Sequence, residues 1–312
     1  MIAYLFPGQG SQTVHMYELL YGHEDVVKEV FEVASDVSGI NVKALCQTAS
    51  IETLTRTENT QLAVSAMNCA FWKIIEAEGV RPDLVAGHSL GQYSALICCG
   101  ALSLYDGFKL ISRRAKAMCN VKRKGVLCAI MGGELQTVIE VCRQTSDEGG
   151  LVAVALYNTP NQIVIGGDHE YVSKAASAIK EAGALKTQLL NVDNAFHTGI
   201  MGEMEAEFSQ YVDTIEFHKP TCRILLNCKG SYADSTDEIR NDIKQQSCHA
   251  VLWSTCMQML VKEPDLQVAE VGVGTVLCGM LKKHDRKRKP FAMSDEDARR
   301  SFIQTAKELR KL

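Results

Sequence analysis

The sequence predicts an α/β fold with a smaller βαββαβ unit set into it, and three observations carry that prediction. Two short apolar runs, Ile2–Phe6 and Leu84–Ala86, each end in a glycine-containing turn and pass into a helical pattern. Strand-like and helical runs alternate through the chain, the order expected of a parallel sheet. Between residues 124 and 191 the rhythm changes, with glycine pairs at 132–133, 149–150 and 166–167 marking turns.

Taken in order, Ile2–Phe6 reads as a buried strand that Pro7-Gly8-Gln9-Gly10-Ser11-Gln12 breaks before a helical pattern begins near Val14. Helical spacing recurs over Val26–Val37 and Gln61–Ala77, and Leu84–Ala86 is the next strand. Leu104–Asn120 is a helix with Ser103 as its N-cap. Then follow a strand at Val126–Met131, a helix at Leu135–Thr145, strands at Leu151–Leu156 and Gln162–Ile165, a helix at Tyr171–Ala184 and a strand at Lys186–Leu190. That βαββαβ order is ferredoxin-like, so the chain divides into 1–123 with 192–312 as a large subdomain and 124–191 as a small inserted one. The large part resumes with a helix near Glu203–Val212, a strand at Arg223–Asn227, a helix near Ala250–Leu260 and a last strand at Val268–Val271.

Composition narrows the function. A chain of 312 residues that is 46% hydrophobic can bury a substantial core. Its 33 basic against 37 acidic residues leave a net charge of −4, which gives no general attraction to nucleic acid or to an anionic membrane. No apolar run reaches the length of a membrane span and the N-terminus lacks a secretory pattern, so the expected location is cytoplasmic. The 12 cysteines are scattered without a Cys-x-x-Cys, which predicts reduced buried thiols and no metal site.

The chemistry concentrates at Gly87-His88-Ser89-Leu90-Gly91. A serine on a strand-to-helix turn flanked by glycines presents its hydroxyl at a helix N-terminus, where a covalent acyl intermediate can form. An ordinary surface turn gives the same five letters. Of the eight histidines, His88 should point away across the turn, whereas His197, in Asn194-Ala195-Phe196-His197, follows the last strand of the small unit, where a cleft wall is expected. It is either the base for Ser89 or a structural histidine. On the 104–120 helix, Lys109, Arg113, Lys116 and Asn120 share a polar stripe, while Gly107, Leu110, Arg114 and Ala117 share a largely apolar one. Arg113 is therefore a surface charge and Arg114 a buried one, either paired with an internal carboxylate or clamping a substrate carboxylate.

Together, Phe6-Pro7-Gly8-Gln9-Gly10-Ser11-Gln12, the serine motif, Arg114-Ala115-Lys116, Ala195-Phe196-His197 and Glu270-Val271-Gly272-Val273-Gly274 resemble malonyl-CoA:acyl carrier protein transacylases, nearly end to end. The resemblance implies an α/β-hydrolase-like large subdomain carrying the ferredoxin-like insertion. It implies Ser89 as nucleophile, His197 as general base, the Gln246 backbone carbonyl orienting that imidazole, the Gln9 and Leu90 backbone N–H groups as oxyanion hole, and Arg114 as clamp. Phe196 would crowd out a branched acyl group. The implied substrate is malonyl-CoA and the implied partner an acyl carrier protein or a polyketide synthase carrier domain, with no bound cofactor, in fatty-acid or polyketide synthesis. The basic residues Lys282, Lys283, Arg286, Lys287, Arg288 and Lys289 are candidates for docking an acidic carrier. Departures from the family pattern are Gln92 for the usual glutamate, Thr198-Gly199 for a Ser-Pro-like pair, and Val273 within a Gly-Pro-Gly. Thr198 and Gly199 are expected to border the pocket and to bear on acyl preference, so an acyltransferase for a non-malonyl unit stays open. A proofreading acyl-thioester hydrolase would share Ser89 and His197 but leave Arg114 unexplained, and a non-catalytic acyl-carrier-binding subunit would need neither.

Overall fold

The computed structural model describes residues 1–311; Leu312, the last residue of the expected large subdomain, lies outside the described residues. Strand β1 (Ile2–Phe6) leads through a 3-10 turn at Met16–Leu20 to α1 (Glu24–Ser38), α2 (Val42–Thr48), α3 (Ile51–Thr55) and α4 (Thr57–Ala77). Strand β2 (Leu84–Gly87) feeds α5 (Gly91–Cys98) and α6 (Leu104–Asn120). The inserted unit is β3 (Val126–Met131), α7 (Leu135–Ser146), β4 (Val152–Thr159), β5 (Gln162–Gly167), α8 (His169–Glu181) and β6 (Lys186–Leu189). The chain closes through α9 (Gly202–Asp213), β7 (Arg223–Leu225), α10 (Thr236–Gln245), α11 (Trp253–Val261), β8 (Gln267–Glu270), α12 (Val276–His284), β9 (Phe291–Ala292) and α13 (Glu296–Leu309).

Five strands form a parallel sheet in the order β7-β2-β1-β8-β9, and four form an antiparallel sheet in the order β4-β5-β3-β6. The second order places the first and third strands of the βαββαβ run at the centre, the ferredoxin-like arrangement. Register aligns Phe6 with Gly87 and Leu5 with Glu270, so the loops leaving β1, β2 and β8 gather at one edge of the parallel sheet. Open parallel sheets bind ligands in the crevice outside those carboxyl ends. Asn194 ties together the two chain crossings between the sheets: its amide donates to Arg123 O at 3.0 Å and its Oδ1 accepts from Gly125 N at 2.7 Å.

Helix α4 is buried on nearly every side, including Ala63, Met67, Ala70 and Phe71, which is why its apolar pattern runs all round rather than along one stripe. Several elements differ from the sequence expectations. The helix expected from Val14 is only the short 3-10 turn, entered through His15 in a left-handed conformation. The Ala250–Leu260 helix starts at Trp253, because Val251 bridges to Leu156 and Leu252 N donates to Asn227 O. The strand expected to run to Asn227 stops at Leu225, because Leu226 turns back onto Ser231 and Gly230. No helix among the described residues is long and apolar enough to cross a membrane, and all 12 cysteines are free.

Candidate active site

Ser89 sits between β2 and α5 with φ of 51°, left-handed backbone that a residue with a side chain adopts only under constraint. Three hydrogen bonds supply that constraint. Ser89 N donates to Asn227 Oδ1 at 2.7 Å, Ser89 O accepts from Gln246 Nε2 at 3.0 Å, and His88 N donates to Phe6 O at 3.0 Å. The flanking glycines are steric necessities. A Cβ at position 87 would lie 2.0 Å from Gly91 C, and one at position 91 would lie 2.0 Å from Phe6 O.

His197 reaches this turn from the loop after the inserted unit, 108 residues away in sequence. The Ser89 hydroxyl stands 2.6 Å from His197 Nε2, and Nδ1 stands 2.8 Å from the Gln246 carbonyl oxygen. A carbonyl only accepts, so Nδ1 carries the proton and Nε2 is free to accept the serine's. His197 is 4% exposed. Burial first, and the Arg114 charge second, push its pKa down to about 3, so the imidazole is neutral in the resting protein. His88 is not the serine's partner, as expected: its Nε2 stands 2.8 Å from Asn158 Oδ1.

Arg114 is 1% exposed, on the inward face of α6. It has no carboxylate partner among the described residues, so the expectation of an internal ion pair is not met. Nη1 donates to Gln61 Oε1 at 2.7 Å, and Nη2 to Ser89 Oγ at 3.2 Å and to Gln246 Oε1 at 3.4 Å. The guanidinium carbon lies 5.4 Å from the centre of the Tyr93 ring, and Nε has no acceptor. A buried cation held by neutral groups is costly to fold, and it is suited to an anion arriving from outside. Arg113 faces outward and pairs with Glu207, as its stripe predicted.

A cavity of about 110 Å³ opens beside these groups. Leu127, Leu156 and Leu190 of the inserted unit line it together with Met118 and Phe196. Drug-sized ligands occupy pockets of about 300–1,000 Å³, so this one admits a short group rather than a whole cofactor. The loop after β1 reaches the cavity through Gln9. Asn68 on α4 donates to Pro7 O at 2.9 Å, and a Cβ at Gly8 would lie 2.5 Å from His88 O. Gln9 lines the cavity, and neither its backbone N–H nor that of Leu90 donates to a protein acceptor among the described residues.

The structure brings Ser89, His197, Arg114, Gln246, Gln9, Leu90 and Phe196 to this one place. Two expectations need correction. Thr198 and Gly199 do not border the cavity: the Thr198 hydroxyl donates to Ala195 O at 2.7 Å and accepts from Ile200 N, while Gly199 packs on Leu151. Arg288 is not free to dock a partner, since its guanidinium pairs with Asp285 and donates to the carbonyls of Val261, Glu263 and Leu266. The sequence reading missed Gln61, Asn68 and Asn227. Gln61, Ser65 and Asn68 form a polar line at i, i+4 and i+7 on an otherwise apolar helix, which was a visible signal; Asn227 carried none.

Comparison with known proteins shows the family and the fold. A family model described as "Acyl transferase domain" matches residues 3–277. The malonyl CoA-acyl carrier protein transacylase of Haemophilus influenzae is 34% identical over 285 residues, covering 90% of this chain and 91% of the relative. The crystal structure of malonyl-CoA:acyl carrier protein transacylase from Xanthomonas oryzae pv. oryzae superposes with a TM-score of 0.92 at 33% identity, covering 97% of this chain and 98% of that one. A malonyl-transacylase solved in complex with its type II PKS acyl-carrier protein superposes with a TM-score of 0.93 at 31% identity, covering 97% of this chain and 99% of that one. The Gly87–Gly91 turn, His197 and the buried Arg114 thus stand in a chain that belongs to the acyl transferase domain family.

Proposed function

We propose that this protein transfers a malonyl group from malonyl-CoA to the phosphopantetheine thiol of an acyl carrier protein through an acyl-Ser89 intermediate. One observation carries the choice of malonyl: a buried guanidinium with only neutral partners, 3.2 Å from the serine hydroxyl. A carboxylate on the acyl group would give Arg114 the anion its surroundings withhold, and an acetyl group would leave the cation buried and unpaired.

In the first half-reaction Ser89 Oγ attacks the thioester carbonyl while its proton passes to His197 Nε2. The Gln246 carbonyl accepts from Nδ1–H and steadies the imidazolium that forms. The oxyanion faces the N–H groups of Gln9 and Leu90, donors worth a few kcal/mol each in such sites. Collapse expels the CoA thiolate, which takes the proton back from His197. In the second half-reaction the carrier thiol gives its proton to His197 and attacks the malonyl ester, and Ser89 Oγ leaves with the proton that His197 returns to it. Leu127, Leu156, Leu190, Met118 and Phe196 keep the cleft apolar, limiting entry of water and of branched acyl groups. The inserted unit, with limits at 124 and 191, supplies part of that cleft's lining. No step requires a bound cofactor, and the chemistry suits a cytoplasmic enzyme.

The rival reading, an acyl-thioester hydrolase, uses the same Ser89 and His197 with water as acceptor. Malonyl-CoA incubated with the protein and holo carrier protein, with malonyl-carrier and free malonate followed together, separates the two. The transfer reading expects malonyl-carrier to form, and little malonate when the carrier is withheld; equal malonate release with and without carrier would overturn it.

A further inference from the structure

Behind the cavity lies a buried chain of amides whose direction has to be set by something. Gln246 Oε1 accepts from Arg114 Nη2, and Gln246 Nε2 donates to Ser89 O and, at 3.2 Å, to Gln92 Oε1. Gln92 Oε1 also accepts from Asn227 N at 3.0 Å, and Gln92 Nε2 donates to Asp242 Oδ2 at 2.7 Å. Asp242 Oδ1 accepts from the backbone N–H groups of Cys228 and Lys229. Gln92, Asn227 and Gln246 are each 0% exposed, and Asp242 is 5% exposed. An amide can present either end to a neighbour, so a row of amides alone has two polarities. An ionised carboxylate only accepts, so Asp242 fixes the far end of the row, in the same sense as Arg114 and Asn227 N, which only donate, and Ser89 O, which only accepts.

We propose that Asp242 is a positioning residue for acyl transfer, fixing through Gln92 and Gln246 which amide end faces Arg114 and which holds the Ser89 turn. The inference rests on the acyl-transfer reading above. Turning Gln246 over would aim an NH2 group at the guanidinium and an oxygen at the Ser89 carbonyl, loosening clamp and nucleophile together. The same residue's backbone carbonyl holds His197. One buried carboxylate therefore bears on the clamp and on the Ser89 turn without touching substrate. It also accounts for the glutamine at position 92: the charge that a glutamate there would carry sits on Asp242, the next side chain in the row.

The test is a charge exchange. In D242N the two backbone N–H groups keep the new amide's oxygen, so its NH2 faces Gln92. Gln92 must then turn its own NH2 toward Asn227 N and Gln246 Nε2. In Q92E two carboxylates face each other in a buried site. In the double variant Q92E/D242N every donor again meets an acceptor: a carboxylate at 92 accepts from Asn227 N, from Gln246 Nε2 and from the amide at 242.

Rates of Ser89 acylation are measured with malonyl-CoA and with acetyl-CoA for all four proteins, with thermal unfolding as a check on folding. Coupled neighbours interact by up to a few kcal/mol, so each single variant should lose about tenfold or more in malonyl acylation. The malonyl-to-acetyl preference should fall, because the clamp is disturbed. The double variant should return to within about threefold of the unaltered protein in both rate and preference. A D242N protein with unchanged rate and preference overturns the inference, as does a folded double variant no better than the singles. If D242N fails to fold, recovery by the double variant supports the inference and failure to recover overturns it. An unaltered protein that forms no Ser89 adduct overturns the acyl-transfer reading and this inference with it, whereas a normal adduct with an indifferent D242N overturns this inference alone.

Discussion

At the scale of single residues, the account turns on what burial does to Arg114 and His197. Removing the guanidinium by Arg114→Ala deletes the partner for a malonyl carboxylate while leaving Ser89 and His197 in place. Sites built around a polar group reject analogues lacking its mate by large factors. Malonyl transfer is expected to fall about 1,000-fold and acetyl transfer less than about tenfold; equal losses, measured as kcat/KM on both thioesters, would refute the clamp. His197 makes a prediction about pH. Transfer needs the neutral imidazole, and burial holds its pKa down to about 3 rather than near 6.5. Acylation of Ser89 under single-turnover conditions should therefore stay level from pH 7 to pH 5, and a half-maximal point near pH 6.5 would contradict the burial argument.

At the scale of elements, the site is a set of loop ends that one sheet holds in register. Position 91 has no room for a side chain, because a Cβ would sit 2.0 Å from the Phe6 carbonyl oxygen, which is backbone and cannot swing away. Gly91→Ala should cost about 3 kcal/mol in urea unfolding and abolish Ser89 acylation; a loss under about 0.5 kcal/mol would show that the β1–β2 edge yields more easily than its geometry implies. The same elements explain what could be read beforehand. The βαββαβ run was legible because its helices and β3–β5 carry buried apolar residues and glycines stand at most of its turns, the Pro160-Asn161 turn excepted. Ser89, His197 and Arg114 were legible because each stands in a local pattern: a glycine-flanked turn, a unit boundary, a polar residue on an apolar stripe. Helices α2, α3, α10, α12 and α13 were not predicted; α2 and α3, at seven and five residues, are too short to establish a period. The supporting amides were hidden for another reason. Asn227 meets Ser89 across 138 residues, and nothing in the sequence around either one encodes that contact.

At the scale of the whole molecule, the buried histidine links catalysis to stability. Between pH 6.5 and about 3 the unfolded chain binds a proton at His197 and the folded protein does not, so folding expels that proton and stability falls as pH drops through this window. The dependence is about 1.4 kcal/mol per pH unit from this one group. His197→Gln removes the titrating ring, so the gap in unfolding free energy between the two proteins should change by about that much between pH 6 and pH 5; a constant gap would mean the imidazole titrates alike folded and unfolded. The larger claim is that two sheets far apart in sequence close one small cavity around a serine, its base and a buried cation. Brief incubation with malonyl-CoA, followed by mass spectrometry of the digested protein, tests it most directly. The account predicts one malonyl group, on the peptide carrying Ser89, absent from Ser89→Ala; a malonyl group on another residue, or an adduct that persists in that variant, would contradict it.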